Sequence, residues 1–235
     1  MFPNWFHYLA MAFVLIGVVC ALFVLWDILR HPQKMGIMNI VWPVTALFGL
    51  LPLVAAYYRY GRRTDQGNPS AASSTPPFPV MVGKGALHCG SGCMIGDVLA
   101  EWLAFSVPAI AVALGWQTLF AEKMFAVWVL DFLFAFVLGI IFQYFAIVPM
   151  RKLSPGQGLI AALKADTLSL AAWQVGMYGA MAILQLLAFP AFFGARAEVD
   201  TWEFWFAMQI AMICGFITSY PVNWYLISSG IKEKM

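Results

Sequence analysis

The chain has 235 residues, of which 63% are hydrophobic and 10% charged, with a formal net charge of +2. A soluble domain carries about 25% charged residues, so there is too little polar surface to coat a water-soluble protein of this size, and the mean hydropathy of +0.82 agrees. The near-neutral balance leaves no electrostatic footprint for nucleic acid. Composition therefore predicts an all-α, polytopic transmembrane helix bundle whose first partner is the lipid bilayer.

A helix needs about 20 apolar residues to cross the hydrocarbon, and six runs reach that length: 8–30, 37–58, 93–115, 122–149, 160–193 and 203–230. The first follows Met1-Phe2-Pro3-Asn4-Trp5-Phe6-His7-Tyr8, which lacks the basic opening of a signal peptide. The run is also too long for the apolar part of one, so it reads as a retained span. The first two runs make an N-terminal hairpin, residues 1–60. Residues 61–81 are rich in Gly, Pro and Ser, a composition that cannot pack a core, and read as a flexible linker. Residues 82–235 hold four further spans. The fifth run is long enough to tilt or kink, and Pro190 and Gly194 mark its end. Pro221, inside the sixth, predicts a kink or break that frees backbone carbonyls. Trp and Tyr gather near several run ends, as an aromatic belt does.

Positive residues predict orientation. With six spans and the N-terminus inside, Arg59, Arg62, Arg63, Lys84, Arg151, Lys152, Lys232 and Lys234 lie inside. Arg30, Lys34, Lys123 and Arg196 lie outside, with Lys164 set aside near a helix start. Both termini are then cytoplasmic, in a bacterial inner membrane.

The most informative segment is His88-Cys89-Gly90-Ser91-Gly92-Cys93-Met94-Ile95-Gly96-Asp97, followed by Glu101. Cys89, Cys93, Asp97 and Glu101 recur every four residues. Each step turns 400° on a helix, so the four drift by about 120° in all and share one face. Thiols can pack as small hydrophobes, but a carboxylate deep in a span costs about 2.5–3.5 kcal/mol on insertion scales. Asp97 and Glu101 would also repel each other if both were ionised. A bound cation or a proton relieves that cost. His88, Cys89, Cys93, Asp97 and Glu101 are therefore the candidate metal ligands, with Cu(I) favoured by soft sulfur and zinc second.

Further polar groups extend the pattern. From a helix start near Gly92, Glu101 lies about 13 Å deep, and from one near Glu122 on the other side Asp131 lies about 14 Å deep, so the two should share a level. Met177 and Met181, and likewise Met208 and Met212, are pairs at helical spacing. Methionine fills apolar gaps, yet thioethers also suit Cu(I). Gln174 and Gln209 near them read as hydrogen-bonding glue or as path residues. Asp166, beside Lys164, reads as an interfacial residue or as an extra ligand. Thiols at the inner mouth, carboxylates at mid-depth and thioethers towards the outside would make a path for a soft cation.

The run Leu87 to Asp97 with Glu101 resembles the signature of an uncharacterised bacterial membrane family, domain-of-unknown-function family 4396. The likeness continues through Lys164-Ala165-Asp166-Thr167-Leu168-Ser169-Leu170, Gln174-Val175-Gly176-Met177-Tyr178, Ser219-Tyr220-Pro221-Val222-Asn223-Trp224 and Gly230-Ile231-Lys232-Glu233-Lys234-Met235. It implies that the stripe is a family motif and that the hairpin lies outside the family; it implies no activity.

Three functions are expected from these residues. The first is a membrane protein that binds a soft metal, most readily copper, and transports or delivers it, with a membrane or metallochaperone partner. The second is a redox enzyme with a thiol pair or metal–thiolate site, against which stands the shortage of histidine for haem ligation. The third is a non-catalytic assembly factor or subunit. The phosphate-binding Gly-x4-Gly-Lys-[Ser/Thr] motif does not occur, so pumping driven by ATP in this chain alone is excluded.

Overall fold

A computed structural model describes residues 2–33, 35–62 and 76–234. It is all helical: α1 (Asn4–Arg30), α2 (Met38–Ala56, extended by a wide turn Tyr57–Gly61), α3 (Phe78–Ser106), α4 (Ala109–Ala113), α5 (Lys123–Arg151), α6 (Pro155–Ala182), α7 (Phe189–Phe193) and α8 (Trp202–Ser228). Five helical stretches among the described residues have the length and apolar composition of membrane spans, and apolar side chains face outward along α1, α5, α6 and α8.

The second apolar run is not a straight span. Leu50 has φ 49° and ψ −144°, far from helical values, and the chain reverses there. The ring of Trp42 lies 5.5 Å from that of Tyr57, whereas fifteen residues of straight helix would separate them by about 22 Å. The arms 38–49 and 51–61 thus lie side by side, each about half a bilayer deep. Leu47 sits near the apex, against Gly17 at the middle of α1. Tyr57 and Arg62 return to Asp27 near the end of α1, donating at 2.8 and 3.0 Å.

This reversal sets the topology. At one end of the bundle His7 meets Glu203 at 2.9 Å and Phe6 packs on Phe189. At the other, Phe78 packs on Trp224 and Tyr220 donates to the Pro79 carbonyl. The starts of α1 and α8 share the first end; both ends of α2, the start of α3 and the close of α8 share the second. The start of α1 and the close of α8 therefore lie at opposite ends of the bundle, because the second run turns back halfway.

The third span is also displaced. The sequence placed it at 93–115, on apolar content; the helix begins at Phe78 and ends at Ser106, with Pro77 preceding it and α4 a separate turn. The linker proposed for 61–81 ends earlier than expected, since α3 takes in 78–81, and residues 63–75 fall outside the described residues. α8 runs through Pro221 without a break, so of the kink or break expected there the break does not occur. The fifth run stays helical from α6 through a wide-turn segment (Ile183–Ala188) and α7, passing Pro190 and closing at Gly194 with φ +63°.

The core is built around α3. A Cβ on Gly96 would lie 2.5 Å from the Ala135 nitrogen, and one on Gly92 3.0 Å from the Gly139 Cα. Backbones this close allow contact along the full helix face, as small residues do between membrane helices. Opposite, α6 packs along α8, held by Thr218 donating to the Ala172 carbonyl at 2.7 Å.

Candidate functional site

α3 carries seventeen buried residues, and its polar groups point inward. His88, Cys89, Cys93 and Asp97 are fully buried, and Glu101 is 6% exposed. The contacts Gly92–Gly139 and Gly96–Ala135 set the antiparallel register of α3 on α5. One further turn brings the Glu101 level opposite Asp131, so the shared level read from the sequence agrees with the register. The depths were wrong. With the helix starting at Phe78, Cys89 lies about 16 Å in, near mid-bundle, and Glu101 lies close to the far end.

Glu101 lines a cleft of about 500 Å³ at the α8-start end, together with Glu122, Lys123, Gln185, Arg196 and Glu198. We call this cleft the vestibule. Gln185 clasps Ala197, donating to its carbonyl at 2.9 Å and accepting from its nitrogen at 3.0 Å, which fixes the loop that carries Arg196. Arg196 reaches Glu122 at 2.5 Å, and its guanidinium holds the Glu122 carboxyl below the ordinary carboxylate range.

Inward from Glu101, the Gln174 amide lies beside Asp97. Tyr178 stacks on Trp128 at 4.5 Å and donates to its carbonyl at 3.1 Å. Cys93 lies beside Cys89 one turn on. The ring of Trp173 rests on Gly90, in space a Cβ would take, and on Gly215. Deeper still, the His88 ring lies 6.2 Å from that of Phe142 on α5. Lys232 donates to Asp166 at 2.9 Å with both side chains wholly buried.

The methionines join this row. Ser169 meets Ser219 at 3.2 Å, and in that α6–α8 register Met177 falls level with Met212 and Met181 with Met208. All four are buried and share one contiguous cluster with Cys89 and Cys93. Met181 reaches the vestibule lining. Thioethers and carboxylates therefore share the vestibule half and the thiols lie beyond them, instead of the thiol–carboxylate–thioether sequence expected. Gln209 leaves the row: its amide donates to the carbonyls of Phe13 and Leu47, tying α8 to α1 and α2.

What distinguishes this row is lack of partners. Both ring nitrogens of His88, both carboxyl oxygens of Asp97 and of Asp131, and the side-chain amides of Gln143 and Gln174 have no hydrogen-bond partner among the described residues. Buried polar groups are almost always paired, and orphans need a reason. Among the described residues, no three His, Cys, Asp or Glu side chains converge as a metal-ligating group. The residues expected as one ligand set are thus strung along a helix.

Sequence reasoning missed Lys232 as a core residue, together with Gln143, Trp173 and Tyr178. Gln143 had a signal, a polar amide inside an apolar run.

Residues 80–232 match the family described as Domain of unknown function (DUF4396), and the chain belongs to it. The match spans α3 to the segment after α8 and omits α1 and α2. No curated protein and no solved structure matches the chain.

Proposed function

We propose that this protein binds a soft transition metal, Cu(I) foremost and zinc second, and passes it along the α3 row between the vestibule and the Lys232 end. The observation that carries this reading is the row of buried, unpartnered carboxylates and amides alongside thiols and thioethers. Leaving such acceptors unpaired in an apolar interior costs about 1–3 kcal/mol each, and a passing cation or proton offsets that cost. The softness of the donors selects the metal: Cys89 and Cys93 share one buried core with four methionines, and sulfur ligands suit Cu(I). The strung-out arrangement favours transfer from donor to donor over one fixed centre.

Orientation follows from the charges. Arg30, Arg59, Arg62, Lys84, Arg151, Lys152, Lys232 and Lys234 belong to the Lys232 half of the bundle, against Lys123 and Arg196 at the vestibule. Eight against two, with the reversal at Leu50 moving Arg30 to the majority, supports a cytoplasmic Lys232 end. The vestibule then opens to the outer side of a bacterial inner membrane, and a metallochaperone or membrane partner exchanges metal with the row.

Elemental analysis of the purified full chain tests this reading. Wild type should retain copper near one ion per chain after incubation under reducing conditions, and Cys89→Ser/Cys93→Ser should lose most of it. Equal, negligible metal in both would overturn it.

A further inference from the structure

Lys232 is the one cation among the described residues with a fully buried side chain. The segment after α8 aims it inward. Gly230 takes φ +73°, a conformation suited to glycine. The nitrogens of Ile231 and Lys232 then both donate to the Leu226 carbonyl at 3.0 Å. The rest of the segment is held at the surface, by an Arg151–Glu233 ion pair and by Lys234 near the Phe78 ring. Exposed ion pairs contribute little, so docking depends on the ammonium.

The seat has more acceptors than Lys232 uses. An ammonium carries three donors, and Lys232 makes one hydrogen bond, to Asp166 Oδ1. Asp166 Oδ2 and Asn223 Oδ1 have no partner among the described residues. The Asn223 amide nitrogen donates to Ser169 and Ser219 at 2.7 and 2.8 Å, which leaves its oxygen as an acceptor. A Cβ on Gly85 would lie 3.6 Å from that oxygen and 3.8 Å from Lys232 Cε, so the two groups adjoin across α3.

We propose that Asp166 and Asn223 form a binding site for a small monovalent cation of ammonium size, with Lys232 as its tethered occupant. Exchanging one monocation for another keeps the charge beside a single carboxylate balanced, whereas a divalent ion would leave an excess and an anion would meet Asp166. Where it bears on the metal path the site rests on that reading: docked Lys232 closes the inner end, and a free cation opens it.

The test uses the wild-type full chain in detergent. Lys232 is labelled with an amine-acylating reagent and quantified by mass spectrometry, with exposed Lys164 as reference. Labelling at Lys232 should rise several-fold in potassium chloride relative to tetramethylammonium chloride at equal ionic strength, while Lys164 stays level. Equal labelling in the two salts overturns the proposal. A second measurement follows thermal unfolding of Lys232→Ala. Ammonium chloride should raise its midpoint, and Asp166→Asn/Lys232→Ala should abolish that shift. A shift that persists in the double variant, or none in a folded single variant, also overturns it. If the single variant does not fold, the labelling decides alone. Cation-specific labelling in a protein that retains no copper would keep this site and sink the metal path; copper retention without it would do the reverse.

Discussion

The two halves of the molecule treat buried charge in opposite ways. In the N-terminal part Asp27 is buried but fully engaged: Tyr57 and Arg62 donate to it and His31 adjoins it at 3.3 Å. In the core, Asp97 and Asp131 are as deeply buried and have no partner among the described residues. A satisfied carboxylate closes a fold, as Asp27 pins the returning arm of α2 to α1. An unsatisfied one is tolerated only where something else needs it. The family match divides the molecule at the same place, covering the core and leaving out the hairpin.

The largest expected effect tests the core's close packing. Gly96→Leu would drive a side chain into the Ala135 backbone, where overpacking costs about 1–3 kcal/mol or more. Little folded protein should survive detergent extraction, as measured by size-exclusion chromatography.

Next comes a pair of substitutions with opposite signs. Asp27→Leu strands Tyr57 and a one-third-exposed Arg62, so solvent offsets part of the loss and about 1–3 kcal/mol of stability should go. Asp97→Leu removes two orphaned oxygens and should leave the unfolding midpoint level or higher, while copper retention falls. A stability loss at Asp97 matching that at Asp27 would erase the comparison.

A smaller effect bears on the reversal. Leu50 holds a backbone conformation that glycine adopts freely, so Leu50→Gly should stabilise the protein by about 1 kcal/mol. Destabilisation would argue for a straight second span.

The smallest effect is at the vestibule. Arg196 lowers the Glu122 pKa in the folded protein, so the pair's contribution is present at neutral pH and above. It is lost only as pH falls through the depressed value, below the ordinary glutamate value of about 4.3. A pH titration of unfolding should show this step in wild type and lack it in Glu122→Gln.

Much of the fold was legible because hydrophobic run length is a strong signal in a membrane chain. The failures have one physical root: run length reports apolarity, not direction. Residues 37–58 are apolar throughout, and nothing in that pattern marks a leucine at positive φ as a turning point. Residues 78–92 are too polar to read as a span, because α3 is shielded from lipid by its neighbours. The stripe was legible because a period of four survives any shift of helix ends, whereas its depth depended on where the helix starts. Lys232 was hidden because a lysine after the last apolar run ordinarily snorkels to the surface.

The central claim is that the α3 row is a through path for a soft cation. Copper delivery into liposomes that hold an impermeant Cu(I)-responsive dye measures it directly. Reconstituted wild type should give a signal above empty liposomes, and Cys89→Ser/Cys93→Ser and Asp97→Asn should each reduce it at least about tenfold, the effect of about 1.4 kcal/mol. A wild-type signal no greater than that of empty liposomes, or one that both variants retain, would contradict the account.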